Sequence, residues 1–252
     1  MIKNDLHVHS IRSACGMHTI LEIVQIAVSK GMHMLNISDH GHALDRSTNF
    51  SILADKRRLP NPVRYLGNEE IWIVRGMEAN ILDFEGNTDI EDKFIPKLDL
   101  INLGFHETEN YHLGNSEAKN TQCLVNTLAH NPLDIITHPC IKTFPLDIEE
   151  LVTLSLQYGF AIEVNNTNLR LEKTNLKKLE KLIPLALEKG ALLAENSDGH
   201  TYYEIGENEK ITALMNDLQI DGDKAFFNRD DKKVMAFIAD RKSRRNALDT
   251  GL

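Results

Sequence analysis

The chain alternates short apolar runs with segments of helical periodicity, and this alternation constrains its fold more than any other feature. Runs of aliphatic and β-branched residues predict seven strands, at Ile2–Val8, Met34–Ser38, Ile71–Glu78, Leu98–Gly104, Asp134–Thr137, Phe160–Val164 and Ala191–Asn196. Helical patterns separate or follow them, at Thr19–Lys30, Thr121–His130, Asp147–Tyr158, Asn175–Lys189, Glu207–Leu218 and Asp231–Arg241. Strands that alternate with helices pair in parallel. We therefore expect an α/β fold, either a closed or nearly closed barrel or a doubly wound open sheet.

The composition is that of an ordinary globular protein, since 42% of the 252 residues are hydrophobic and 26% are charged. No stretch resembles a secretory signal or a membrane span, so we expect a cytoplasmic protein without a membrane partner. The formal net charge of −9 disfavours avid binding to a nucleic-acid backbone, but it leaves open a phosphorylated substrate held by metal ions. The three cysteines, Cys15, Cys123 and Cys140, form no CxxC motif, which argues against a disulfide framework.

Residues that commonly bind metals lie at the C-terminal ends of the predicted strands. Their motifs are DLHVHS, ISDHGH, GMEAN, GFHE, THP and NSDGH, which contain His7, His9, His40, Glu78, His106, His138, Asp198 and His200. In a parallel β/α barrel these strand ends open onto one face, so the side chains should converge. Side chains two residues apart on a strand share a face, so His7 and His9 can bind one ion as a pair.

Eight such groups exceed what one ion requires, so we expect at least two divalent ions, and three are compatible with the count. Glu78 is the natural bridging ligand. Mixed imidazole and carboxylate ligands favour Zn, Mn or Fe over Mg or Ca, and the sequence does not choose among these three.

The motifs DLHVHS, ISDHG, GMEAN, GFHE, HP, EVNN and NSDGH occur in an order and spacing that resemble the PHP (polymerase and histidinol phosphatase) superfamily, in particular its small YcdX-like phosphatases. The resemblance runs from Asp5 to His200, and it implies a single PHP domain over residues 1–252. It implies a distorted seven-stranded (β/α)7 TIM-like barrel with a trinuclear metal centre that hydrolyses phosphoesters. By the same resemblance, the first ion would take His7, His9, Glu78 and Asp198. The second ion would share Glu78 and add His106 and His138. The third ion would take His40 and His200, with Asp198 as a candidate shared ligand.

One position departs from the family pattern. Where the family has a further histidine for the third ion, six residues after His9, this chain has Cys15. A thiolate is a good zinc ligand, so Cys15 is the preferred candidate. His18 is the second candidate, and a weak or empty third site is the remaining alternative.

The ligand set and the resemblance together predict a phosphatase or phosphoesterase that acts on a small phosphorylated metabolite. A hydroxide that bridges two ions would be the nucleophile, so no side-chain nucleophile is required. His42, His112 and Arg12, near the predicted mouth, are candidates to assist the leaving group.

Other polar side chains adjoin the predicted ligands. Asp5 and Asp39 are expected to orient imidazoles, and Asn165 is expected to contact substrate or ligands. The irregular segments Gly41–Gly67 and Glu107–Asn120 are expected to determine which substrate binds.

Two other functions are weighed against the phosphatase. A PHP-type nuclease acting on DNA or RNA ends is disfavoured by the acidic charge, although the run RDDKKVMAFIADRKSRRN is locally basic and more typical of a solvated helix face. A non-catalytic metal-binding scaffold is disfavoured because only one ligand position is altered. A homo-oligomer remains open.

Overall fold

The computed structural model describes residues 1–13, 15–45, 63–65 and 69–249. Its strands are Asn4–Val8 (β1), Met34–Ile37 (β2), Val63–Tyr65 (β3), Glu69–Asn80 (β4), Leu100–Gly104 (β5), Ile135–Ile136 (β6), Ala161–Asn165 (β7) and Leu193–Asn196 (β8). Seven of them run in parallel in the order β1-β2-β4-β5-β6-β7-β8, and β3 pairs antiparallel with β4. Each of the seven predicted strands is therefore present.

The sheet curves into a nearly closed barrel, because the chain after β8 returns to β1. Val8 forms a parallel bridge with Gly199, and the N–H of His9 donates to the carbonyl of Gly199 at 2.9 Å. The side-chain oxygen of Asn196 accepts from the N–H of Leu6 at 3.0 Å. The predicted seven-stranded α/β barrel is confirmed, and the open-sheet alternative is wrong.

The helices follow the predicted order. They are Ile20–Ser29 (α1), His42–Asp45 (α2), Glu117–His130 (α3), Ile148–Tyr158 (α4), Asn166–Arg170 (α5), Leu176–Lys189 (α6), Glu209–Asp217 (α7), Gly222–Ala225 (α8) and Asp231–Asp249 (α9). At the start of α1, Thr19 and Glu22 form a capping box in which each side chain accepts from the other's backbone N–H. Helix α3 begins four residues before its predicted start, because the Ser116 side chain accepts from the N–H of Lys119 and caps it.

An apolar layer separates the two ends of the barrel. It takes one residue from each of the seven parallel strands and packs them against α9 and the turn before it: Leu6, Met34, Val74, Leu100, Ile135, Ala161 and Ala194 with Phe227, Val234 and Phe237. Most of these strand residues lie in the N-terminal half of their strands. This apolar layer therefore lies beneath the polar residues at the C-terminal strand ends.

Helix α9 is anchored by buried ion pairs. Asp134 accepts from Arg241 Nε at 2.9 Å and also pairs with Arg245 Nη1, while Arg241 Nη2 donates to the carbonyl of Leu133 at 2.6 Å. The expectation that this basic run is a solvated face is therefore wrong for these two arginines, which are 6% exposed. Their positive charges are paired with the buried carboxylate of Asp134.

Of the two segments expected to determine the substrate, only Glu107–Asn120 lies wholly within the described residues. Its last four residues form the first turn of α3, and Tyr111 within it is fully buried. In Gly41–Gly67 only 41–45 and 63–65 are described, so the rest of that prediction lies outside the described residues. Within the described ranges, no helix is long and apolar enough to cross a membrane.

Candidate metal centre

The predicted ligands meet at the C-terminal end of the barrel. Potential ligand atoms from eight of them form three groups, each within 4.8 Å: His9, Cys15, His40 and His200; His7, His9 and Asp198; His40, Glu78 and His106. His138 joins them through its Nε2, which lies 3.0 Å from Glu78 Oε1. All nine predicted ligand residues are therefore brought together.

His7 and His9 extend side by side from the end of β1, as their spacing predicts. Their Nε2 atoms lie 3.0 Å apart. Asp198 Oδ1 lies 3.5 Å from His7 Nε2 and 3.3 Å from His9 Nε2, and Glu78 Oε2 lies 3.3 and 3.4 Å from the same two atoms. Two imidazoles and two carboxylates thus direct electron-pair donors at one small volume.

Glu78, in β4, is the hub of the centre. Besides His7 and His9, its carboxylate lies 2.9 Å from His40 Nδ1 and 3.7 Å from His106 Nε2. The backbone of Gly104 makes room for it, since a Cβ there would lie 2.8 Å from Glu78 Oε1 and 2.5 Å from His106 Cε1. This central position suits a ligand shared by two ions.

Four buried polar atoms in the centre lack a hydrogen-bond partner among the described residues. They are Glu78 Oε2 and His40 Nδ1, which lie 2.9 Å apart without the geometry of a hydrogen bond, and His106 Nδ1 and His138 Nδ1, the ring nitrogens opposite those that face Glu78. Buried polar atoms are normally satisfied, so the unpartnered Glu78 Oε2 and His40 Nδ1, which face each other, fit a site for a metal ion. The donor set of imidazole, carboxylate and thiol fits zinc, manganese or iron.

The charges of the centre perturb one another. Burial, then the neighbouring imidazoles of His200 and His40, lowers the pKa of His9 to about 3. For His40, burial lowers the pKa, but the Glu78 carboxylate and the Cys15 thiol together outweigh burial and raise the pKa to about 10. Burial would raise the pKa of the Cys15 thiol, yet hydrogen bonds with His200 and His40 lower it to about 7. Ion binding here must displace protons, because metals bind neutral imidazole and thiolate.

Two ligand candidates hold left-handed backbone conformations. The φ angle is 35° at His138 and 53° at Asp198. For residues other than glycine this costs about 1–3 kcal/mol each and persists only where surrounding contacts impose it. The N–H of His138 donates to Glu163 Oε2 at 2.7 Å, and Asn165 Nδ2 donates to Asp198 Oδ2 at 3.1 Å. Such strain is typical of functional sites.

Glu163, in β7, was not among the predicted site residues. It is buried, and its Oε1 lies 2.7 Å from His7 Nδ1. It also accepts from Asn165 Nδ2 and Asn196 Nδ2, both at 2.9 Å. A carboxylate on the far nitrogen of an imidazole fixes which nitrogen faces the metal. The available sequence signal was the single acidic residue in the otherwise apolar run FAIEV.

Asp39 and Asp5 have different surroundings. Asp39 Oδ1 accepts from Ser13 Oγ at 3.0 Å, and Ser13 Oγ lies 3.0 Å from His9 Nδ1, so Asp39 orients an imidazole through a hydroxyl. Among the described residues, no imidazole forms a hydrogen bond with Asp5. Asp5 accepts from Ser197 Oγ and from backbone N–H groups, including those of His7 at 3.3 Å and Gly206 at 3.1 Å, so it stabilises the closure of the barrel instead of orienting an imidazole as expected.

The remaining predicted residues differ in whether they contact the metal centre. Asn165 contacts Asp198, as described above. His18 lies outside the ligand groups, because its Nε2 accepts from the backbone N–H of Tyr202 at 2.9 Å. His42, His112 and Arg12 have exposed side chains.

Comparison with known proteins places this geometry in a family. Residues 5–203 match the PHP domain. The chain belongs to the PHP domain family.

Two relatives match more than nine-tenths of this chain at 28% and 29% identity. A protein from Caldanaerobacter subterraneus subsp. tengcongensis, named "Probable phosphatase", is 28% identical over 244 residues, which is 95% of this chain and 92% of the relative. A protein of the same name from Shewanella oneidensis is 29% identical over 235 residues, 93% of this chain and 90% of the relative.

Solved structures share the PHP fold at low sequence identity. Histidinol phosphate phosphatase from Lactococcus lactis, crystallised with zinc, L-histidinol and phosphate, matches with a TM-score of 0.59 at 13% identity, over 87% of this chain and 94% of that one. A chain from the structure of archaeal ribonuclease P with mature tRNA matches with a TM-score of 0.56 at 15% identity, over 96% of this chain and 91% of that one.

Proposed function

We propose that this PHP domain is a metal-dependent phosphatase that releases phosphate from a small phosphorylated metabolite, within a single domain. The observation that carries the proposal is the convergence of nine ligand-type side chains on one face of the barrel, around the buried carboxylate of Glu78. The shared name of the relatives supports the reaction class. The zinc in the Lactococcus lactis structure supports zinc among the three candidate metals.

The proposed ligand sets follow the observed contacts. His7, His9, Glu78 and Asp198 would bind one ion, Glu78, His106 and His138 a second, and Cys15, His40 and His200 a third. Such ions, when bound, would neutralise the phosphoryl oxygens and acidify water into the hydroxide nucleophile that bridges two of them.

The chain's own residues hold these ligands in place. Glu163 accepts from His7 Nδ1 and so keeps His7 Nε2 turned towards the centre. Ser13 does the same for His9 Nδ1, and Thr137 Oγ1 donates to Glu78 Oε1 at 2.7 Å. Ligands fixed in this way lose little entropy when an ion binds.

Nucleic-acid cleavage is the less favoured function. Its sequence support was the basic run in α9, but Arg241 and Arg245 are buried against Asp134 and cannot contact a phosphate backbone. The net charge of −9 acts in the same direction.

The test is elemental analysis of the purified chain together with hydrolysis of an aryl phosphate. We expect at least two transition-metal ions per chain, and we expect Glu78→Ala to abolish hydrolysis. His33→Ala is the matched control, because that imidazole is exposed and pairs with Asp231 away from the centre. Fewer than one ion per chain, or full activity of Glu78→Ala, would overturn the proposal. A screen of sugar phosphates, histidinol phosphate, nucleotides and single-stranded DNA then identifies the substrate class.

A further inference from the structure

One end of the centre differs chemically from the rest. The group of His9, Cys15, His40 and His200 contains a thiol and no carboxylate, whereas each of the other two groups contains Asp198 or Glu78. We propose that the Cys15 end selects a thiophilic divalent ion of the zinc class, while the Glu78 end also accepts harder ions such as Mn²⁺. This inference rests on the metal centre of the proposed function and specifies which ion each end prefers.

The loop that carries Cys15 is held against the segment that carries His200. The N–H of Met17 donates to the carbonyl of His200 at 2.9 Å, and the N–H of Tyr202 donates to His18 Nε2 at 2.9 Å. His18 therefore ties the two segments together. The thiol is brought to the imidazoles by backbone contacts that need no metal.

A glycine makes this loop conformation accessible. A Cβ at Gly16 would lie 2.2 Å from the carbonyl oxygen of Ser10, so any larger residue would displace the loop. On the other side, the N–H of Ile11 donates to the carbonyl of His18 at 2.7 Å and closes the loop at its base. Cys15 is thus confined by its neighbours along the chain.

Two members of this group also belong to another group of potential ligands, and two do not. The second nitrogen of His9 is engaged by Ser13, and its Nε2 also faces Asp198 at 3.3 Å, so His9 can serve only one ion at a time. His40 Nδ1 lies 2.9 Å from Glu78 Oε2, so His40 belongs both to this group and to the group that contains Glu78. Cys15 and His200 belong to this group alone, and the thiol therefore sets its preference.

The chemistry of the thiol separates the candidate metals. Thiolate is a soft donor that favours zinc, and cobalt(II) enters such sites with the same geometry, whereas Mn²⁺ prefers carboxylate and water oxygens. A family-type imidazole at this position would discriminate less. We expect the ratio of zinc to manganese affinity at this end to fall about tenfold or more when Cys15 is replaced by histidine, a factor equal to one 1.4 kcal/mol step in binding free energy.

The experiment is a cobalt titration of the full chain after metal removal, followed by near-ultraviolet absorption. Thiolate bound to Co²⁺ gives a sulfur-to-metal charge-transfer band that imidazole and carboxylate do not give. We expect the band in the native chain and no band in Cys15→Ser or Cys15→His. The control is Cys123→Ser, which should keep the band, because the Cys123 thiol is buried in α3 and donates a hydrogen bond to the Asp83 carbonyl. The thermal unfolding midpoint of each variant shows that it is folded.

A native chain that binds Co²⁺ without the band, or a band that persists in Cys15→Ser, would overturn the inference. Competition of Zn²⁺ against Mn²⁺ supplies the second readout, and an equal affinity ratio in the native chain and Cys15→His would also overturn it. Neither readout requires turnover. A band without phosphatase activity would leave the inference intact and refute the function, while activity without the band would do the reverse.

Discussion

Replacing Glu163 with glutamine should weaken metal binding although nothing in the ligand set is altered. Four donors point at the two oxygens of this carboxylate. His7 Nδ1 and Asn196 Nδ2 approach Oε1 at 2.7 and 2.9 Å, and the N–H of His138 and Asn165 Nδ2 approach Oε2 at 2.7 and 2.9 Å. Only an acceptor pair satisfies this arrangement.

In Glu163→Gln one of the two oxygens becomes an NH₂ group, whichever way the amide is turned. Two of the four donors then face another donor and lose their partner. An unsatisfied buried donor costs about 1–3 kcal/mol, so two of them cost about 2–6 kcal/mol of folding free energy. If the NH₂ group faces His7, that imidazole regains a partner only by changing its tautomer, which places the proton on Nε2, the nitrogen that faces the proposed metal site. Loss of such a supporting group reduces metal affinity by about 10–100-fold.

The assay measures zinc affinity by competition with a chromophoric chelator, and stability by chemical denaturation of the metal-free chain. Glu195→Gln is the matched control, because Glu195 is a buried glutamate on the adjacent strand β8 that pairs with Arg229 at 2.7 Å and contacts no predicted ligand. It should lower stability and leave zinc affinity unchanged. Equal zinc affinity in Glu163→Gln and the native chain would refute the assignment of Glu163 as a positioning residue.

Three further predictions concern other parts of the structure. Gly104→Ala should lower the metal content by displacing Glu78 or His106, and elemental analysis of a folded variant with a full complement of ions would contradict this. Arg241→Ala should cost about 1–3 kcal/mol in denaturant unfolding, because Asp134 loses one of its two buried arginine partners and keeps only Arg245, while metal content stays unchanged; a loss below about 1 kcal/mol would count against a buried pair. Metal removal by a chelator should lower the thermal midpoint, because ions that bind the folded chain in preference to the unfolded chain stabilise it, and re-adding zinc should restore the midpoint; equal midpoints in the two forms would argue against bound ions.

The strands and helix starts were readable from the sequence because they depend on local chemistry. Apolar runs form strands wherever both faces are buried, and the Thr19–Glu22 capping box fixes the start of α1 through contacts three residues apart. Boundaries were less accurate where distant contacts decide them. Helix α9 extends to Asp249 instead of ending at Arg241, and Arg245 in this extension is held by Asp134, more than 100 residues away in the chain.

For the centre, the sequence by itself determined which side chains are available as ligands, since His7, His9 and Glu78 stand at strand ends and the C-terminal ends of parallel strands share one face. Only the tertiary structure decided which of them meet and what supports them. Closure of the barrel brings Glu163 to His7 across 156 positions, and the backbone of the segment after β8 occupies His18 and leaves the thiol beside the imidazoles. Contacts of this kind join residues that are far apart in the chain, and no local pattern encodes them.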